Sequence, residues 1–201
     1  SGGRTGLTAC VVALLFLLSG AAALIYQMAW QRLLFAIFGV DTDSVAVIVS
    51  VFMLGLGLGA LLGGAIADRV GAGALAAFAA IEIGIGAFGI ASPALIGLLD
   101  AGLAGSGRLA TGLWSFLLLA VPTTLMGATL PILVAWLAAR VPHVGSAVGL
   151  LYVANTAGAA IGAAAAGFFL LNWLDLNQLV RLAAAINFAV GASAWLARRA
   201  T

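Results

Sequence analysis

Six times along this chain an apolar run lasts for about 20 residues or more, the length needed to cross the hydrocarbon core of a bilayer. The runs lie near 7–27, 44–67, 73–98, 112–138, 144–171 and 179–196, between polar or Gly/Pro breaks. This feature constrains the fold most. A chain with 65% hydrophobic and 7% charged residues cannot assemble a water-exposed surface of ordinary composition, so lipid is the expected solvent. The expected class is an all-α membrane protein with six transmembrane helices in a single domain over 1–201. The first run continues through "MAWQRLLFAIFG" to Gly39, too long for one straight crossing. Gln27, Gln31 and Arg32 suggest a helix that leaves the membrane or turns along its surface there.

The polar minority excludes several function classes. All eight basic residues are Arg, and a net charge of +2 scattered along the chain argues against nucleic-acid binding. Cys10 is alone and His143 is the only histidine, so no thiolate cluster or metal site is expected. The chain offers no Ser/His/Asp set and no carboxylate pair at usable spacing, so neither an enzyme nor a cofactor is expected. The opening "SGGR" without Met and the ending "ARRAT" suggest a membrane domain excised from a longer chain.

Six crossings put both termini on one side. That side collects Arg4, Asp68, Arg69, Arg140, His143, Arg198 and Arg199, and the other Arg32, Asp41, Asp43, Asp100, Arg108, Asp175 and Arg181. Five Arg against one Asp, compared with three Arg against four Asp, places the termini in the cytoplasm by the positive-inside rule. A multi-pass protein of a bacterial inner membrane is the expectation, with the lipid bilayer as its first partner.

Small residues recur every fourth position at Gly55, Gly59, Gly63 and Ala67, and a shift of 99 lays them on Ala154, Gly158, Gly162 and Ala166. Such stripes let helix backbones approach closely. A shift of 105 lays "AAIEIGIGA" (79–87) on "AAINFAVGA" (184–192), with Glu82 on Asn187, and a shift of 100 aligns "FLL" at Phe16 with "FLL" at Phe116. Spans one to three thus recur as spans four to six. Three crossings reverse the direction of entry, so the repeat is a 3+3 inverted one.

Glu82 is the one acidic residue deep in a span, about nine residues into the third and roughly 13 Å along its axis. A carboxylate at that depth needs a partner, a cavity or water. It is either a cation or proton site or one end of an inter-helix hydrogen bond to Asn155, Thr156 or Asn187. Tyr152, Asn155 and Thr156 share one stretch of the fifth span and either present an aromatic face and amide oxygen to a cation or glue helices together. Thr123, Thr124 and Thr129 lie between Pro122 and Pro131, where hydroxyls either line a cavity or bond back within a kinked helix. Tyr26, Gln27, Trp30, Gln31 and Arg32 have the make-up of an interfacial anchor, as do Trp114, Trp136, Trp173 and Trp195 near span ends.

"GAIADRVG", Gly64 to Gly71, resembles the GxxxDRxG motif joining the second and third helices of major facilitator superfamily transporters. The resemblance implies gate or packing roles for Gly64, Asp68, Arg69 and Gly71, although Ala72 and Gly73 stand where that family has basic residues. "SGAAALIYQMAWQRLL" (19–34), "MGATLPIL" (126–133) and "LYVANTAGAAIGAAAAGFFLL" (151–171) resemble the membrane part of fused major-facilitator/spermidine-synthase-like proteins. That implies half of a major facilitator fold. Two functions follow as expectations: a homodimeric half-transporter for a small polar or cationic solute such as a polyamine, with Glu82, Tyr152, Asn155, Thr156 and Asn187 as its site, or a non-transporting anchor or assembly module for a soluble synthase-like domain or a larger membrane complex.

Overall fold

The computed structural model describes residues 2–39, 41–141 and 143–199, with side chains from residue 6 onward except at 40, 41 and 142. Arg4 and Asp41, both counted in the charge asymmetry, therefore have side chains outside the described residues. Among the described residues all regular structure is helical. In lipid a backbone has no water to bond, and a helix satisfies its polar groups internally. The long helices are α1 (Gly2–Phe38), α2 (Asp41–Val70), α3 (Ala74–Gly102), α4 (Arg108–Ala138) and α5 (Val144–Ala165). A π turn over Ala166–Leu170 carries α5 into the short α6 (Leu171–Trp173), and α7 spans Leu176–Ala197. Among the described residues, five continuous apolar helical segments are long enough to cross a membrane, the second of them running over Thr42–Gly102 for 61 residues. At 1.5 Å per residue that segment would be roughly three bilayer cores long. It is broken at Gly71–Gly73, a 3₁₀ turn between α2 and α3. Gly71, with φ of 45°, supplies the left-handed backbone that ends α2, which explains the final glycine of "GAIADRVG".

Close contacts give the helix directions. Gly55 packs on Thr123, Gly59 on Gly127 and Gly63 on Pro131, so α2 and α4 run parallel. Gly158 lies on the carbonyl of Leu17 and Gly162 on that of Ala21, so α5 runs parallel to α1. Ser19 bonds Glu82 and Trp30 bonds Ser92, which makes α1 and α3 parallel. Gly86 meets the Ala184 carbonyl and Gly191 that of Ala79, so α3 and α7 are antiparallel. Trp30 touches Phe52 while Phe38 and Val47 share one groove, which sets α1 against α2. The period-four glycines are thus helix contact surfaces. Helix propensity alone disfavours glycine by about 1 kcal/mol per residue. Backbone approach across the stripe offsets that cost.

These contacts are also reciprocal. Gly20 abuts the Asn155 carbonyl while Gly127 abuts that of Leu56, and Leu17 lies under Gly158 as Thr124 lies under Gly59. Ala21 with Gly162 matches Ala128 with Gly63. Each pair maps onto the other by 107 residues from α1 to α4 and 99 from α2 to α5. The "FLL" alignment at 100 is therefore out of register, because two apolar runs match by composition whereas Gly20 and Gly127 match by the helix each must touch.

Beyond Gln27, α1 continues as one helix to Phe38. Tyr26 and Trp30 are not interfacial anchors: both are fully buried, Tyr26 stacked on Trp30 at 4.9 Å between ring centroids. Trp136 is likewise buried, capped by the Arg140 guanidinium 4.0 Å from its ring centroid, because this face of α4 turns inward. Trp114, Trp173 and Trp195 do face outward. So do many large apolar side chains, among them Leu61, Phe168 and Phe169, a surface suited to acyl chains.

At the start of α7, Asp175 Oδ1 accepts from the Gln178 backbone N–H at 2.8 Å and Gln178 Oε1 accepts from the Asp175 N–H at 3.0 Å. This capping box satisfies two backbone donors that the helix cannot satisfy itself. Asp175→Ala is expected to cost about 1 kcal/mol, read as a lower thermal midpoint in detergent. Asp175→Asn, which keeps the acceptor, should retain most of it.

A sealed polar cluster as the candidate functional site

α1 and α3 lie side by side in a constant register, and the polar side chains of the core follow it. Ser19 Oγ donates to Glu82 Oε1 at 2.6 Å. One register step further, the Tyr26 hydroxyl lies against Gly89, where a Cβ would collide with it. At the far end Trp30 Nε1 donates to Ser92 Oγ at 2.8 Å, and Ser92 donates on to the Gly89 carbonyl at 2.8 Å. From the other side α7 brings Asn187, whose Nδ2 donates to Glu82 Oε2 at 2.6 Å. Glu82 is fully enclosed and Asn187 is 2% exposed.

Both carboxyl oxygens are therefore occupied by neutral donors, and among the described residues Glu82 makes no ion pair. Two buried polar atoms nearby are unpartnered, Asn187 Oδ1 and the Tyr26 hydroxyl. Nothing in this cluster is a cation, a nucleophile activated by a base, or a second carboxylate. Its chemistry is that of a hydrogen-bonded clasp joining α1, α3 and α7. Among the described residues no three His, Cys, Asp or Glu side chains gather to hold a metal.

The other residues singled out from sequence lie apart from it. Tyr152 is 59% exposed on the outer face of α5, and Thr156 is exposed one turn further on. Asn155 is half-buried, its Nδ2 donating to the Phe16 carbonyl at 3.3 Å. Of the expected set, the structure brings together only Glu82 and Asn187. Thr123 Oγ1 donates to the Leu119 carbonyl at 2.8 Å and Thr129 Oγ1 to that of Met126 at 2.6 Å, so these hydroxyls bond back within α4. Asp68 and Arg69 are exposed at the end of α2, and Gly64 is half-buried with open space where its Cβ would be.

Sequence reasoning missed Ser19. Its signal was the small polar residue in "SGAA", one place before the glycine that α5 packs against. A serine there reaches toward α3.

The fold and site together define an all-helical protein suited to a multi-pass membrane location, with its deepest polar side chains closed off between helices. The chain matches no protein-family model, no curated protein and no solved structure.

Proposed function

We propose that this chain is a non-transporting assembly module of a membrane. In this reading it crosses the bilayer six times as two inverted three-helix repeats, the half-facilitator arrangement. The alternating helix directions support six crossings, and the reciprocal glycine contacts support the repeat. Glu82 and Asn187, equivalent by the shift of 105, bond each other where an axis relating the repeats would pass. With the cytoplasmic termini expected from the positive-inside rule, Arg69, Arg140 and Arg198 line the inner boundary.

The enclosure of Glu82 carries the functional reading. A carrier needs its polar groups to converge on a space that a solute can enter, whereas Glu82, Asn155 and Tyr152 face separate contacts. The partner in this proposal is a second copy, met along α5. Little of the Val144–Trp173 segment is buried, and it turns Tyr152 and Thr156 outward between about a third and just over half of the way along α5. Polar side chains at that depth favour another helix over lipid tails.

Flux and crosslinking test the reading together. In proteoliposomes, spermidine uptake is expected to equal that of protein-free vesicles. In a Cys10→Ser background, Tyr152→Cys should form a disulfide-linked dimer. Uptake that the wild type supports and Glu82→Gln abolishes would replace the module with a carrier.

A further inference from the structure

A second feature lies at the opposite end of α2 from Asp68 and Arg69. α2 and α4 run parallel, and near their N-terminal ends they border a groove of about 570 Å³ that Phe38 of α1 also lines. Its wall is apolar for most of its length, with Val47, Gly112 and Phe116 along it, and Ser50 at the same depth as Phe116. Asp43 and Arg108 stand at its mouth. From Asp43 to Ser50 and from Arg108 to Phe116 the lining descends roughly 10–12 Å at 1.5 Å per residue. Leu109 and Leu113, 88% and 57% exposed, flank the opening and mark it as facing acyl chains.

The mouth is charged in a particular way. Arg108 Nη1 and Asp43 Oδ2 are 3.6 Å apart, with side-chain exposures of 70% and 37%. A close charge-assisted hydrogen bond measures about 2.7–2.9 Å, so this is a loose pair with donors and acceptors to spare. The positive ends of two helix dipoles, α2 and α4, point the same way beside it. An anionic group with a cation one short link away fits this pattern, and an apolar tail fits the groove beneath.

We infer that the groove holds one zwitterionic phospholipid with a primary-amine headgroup: its phosphate on Arg108, its ammonium on Asp43 and one acyl chain between α2 and α4. Charge complementarity at the mouth selects this occupant. An anionic lipid without an amine would leave Asp43 against the phosphate, and a quaternary amine lacks the N–H donors that a carboxylate accepts. The inference rests on the membrane location alone and stands or falls independently of the assembly role.

Native mass spectrometry of the full chain, released from vesicles containing equal amounts of phosphatidylethanolamine, phosphatidylcholine and phosphatidylglycerol, provides the test. The retained lipid is expected to be enriched in phosphatidylethanolamine. Arg108→Gln should lower retention of every phospholipid by about tenfold, the loss of one charge-assisted contact. Asp43→Asn should leave retention in place but abolish the preference for phosphatidylethanolamine over phosphatidylcholine. Gly112→Leu, which fills the groove wall facing Val47 and Phe38, should remove retention while circular dichroism reports an unchanged helix content. Retained lipid that mirrors the vesicle composition and ignores Arg108→Gln would overturn the inference. So would displacement of the lipid by inorganic phosphate alone, which marks a free-anion site, or a Leu113→Cys disulfide to a second copy in the Cys10→Ser background, which marks a protein interface.

Discussion

Asn187→Leu is expected to lower the thermal midpoint of the purified protein sharply, whereas Glu82→Gln leaves it nearly unchanged. The leucine removes the donor to Glu82 Oε2 and leaves a fully enclosed carboxyl oxygen with no partner. An unsatisfied buried polar atom costs about 1–3 kcal/mol, and more where it carries charge. In water-excluded surroundings the freed atom has no solvent to turn to. Glutamine behaves differently for a reason visible in the cluster. Its carbonyl still accepts from Ser19, and its new N–H₂ group points at Asn187, which has an unpartnered Oδ1. Rotating the Asn187 amide brings that oxygen into the bond, so the clasp closes again with donor and acceptor exchanged. The expected change is under about 1 kcal/mol. Paired melting curves in one detergent decide it: an Asn187→Leu variant as stable as the wild type would mean that the Glu82 bonds do not hold α3 to α7.

Gly158→Ala should destabilise the bundle by about 1–3 kcal/mol, and Gly158→Leu by more, since overpacking a close backbone contact forces helices apart. A Cβ at Gly158 would run into the Leu17 carbonyl, which is backbone and cannot turn aside. Gly59, its counterpart by 99 residues, would meet the Thr124 carbonyl and should respond alike. Gly57 and Gly64 sit on the same helix as Gly59 with open space around them. Alanine at either should be neutral or stabilising by up to about 1 kcal/mol, the ordinary gain in helix propensity. Equal effects at Gly57 and Gly59 would refute the contact surface. Loss of stability at Gly59 with none at Gly158 would refute the reciprocity between the two glycine stripes.

Much of the architecture is legible in local pattern. The period-four glycines of α2 and α5 pack on α4 and α1, and the Asp68–Arg69 pair is exposed where α2 ends. The match of Glu82 with Asn187 at 105 residues was visible, and these two side chains meet. Other features misled. Tyr26 and Trp30, next to Gln27, Gln31 and Arg32, have an interfacial composition, yet α1 rotates their rings inward and leaves Arg32 exposed. Composition averages around a helix, whereas burial depends on which side of it the neighbours occupy. In a chain apolar on nearly every face, that side leaves little trace in periodicity.

Sequence alone determined the apolar helical class, the breaks between most of the helices and the faces where backbones approach, because run length and the absence of a side chain at glycine act locally. Only the tertiary structure decided that Ser19 and Asn187 close over Glu82, that Tyr152 and Thr156 look outward, and that the close contacts of α1 correspond to those of α4 at 107 residues rather than 100. Those outcomes depend on the rotation of each helix about its own axis, and that rotation is set by mutual contact among helices distant in the chain.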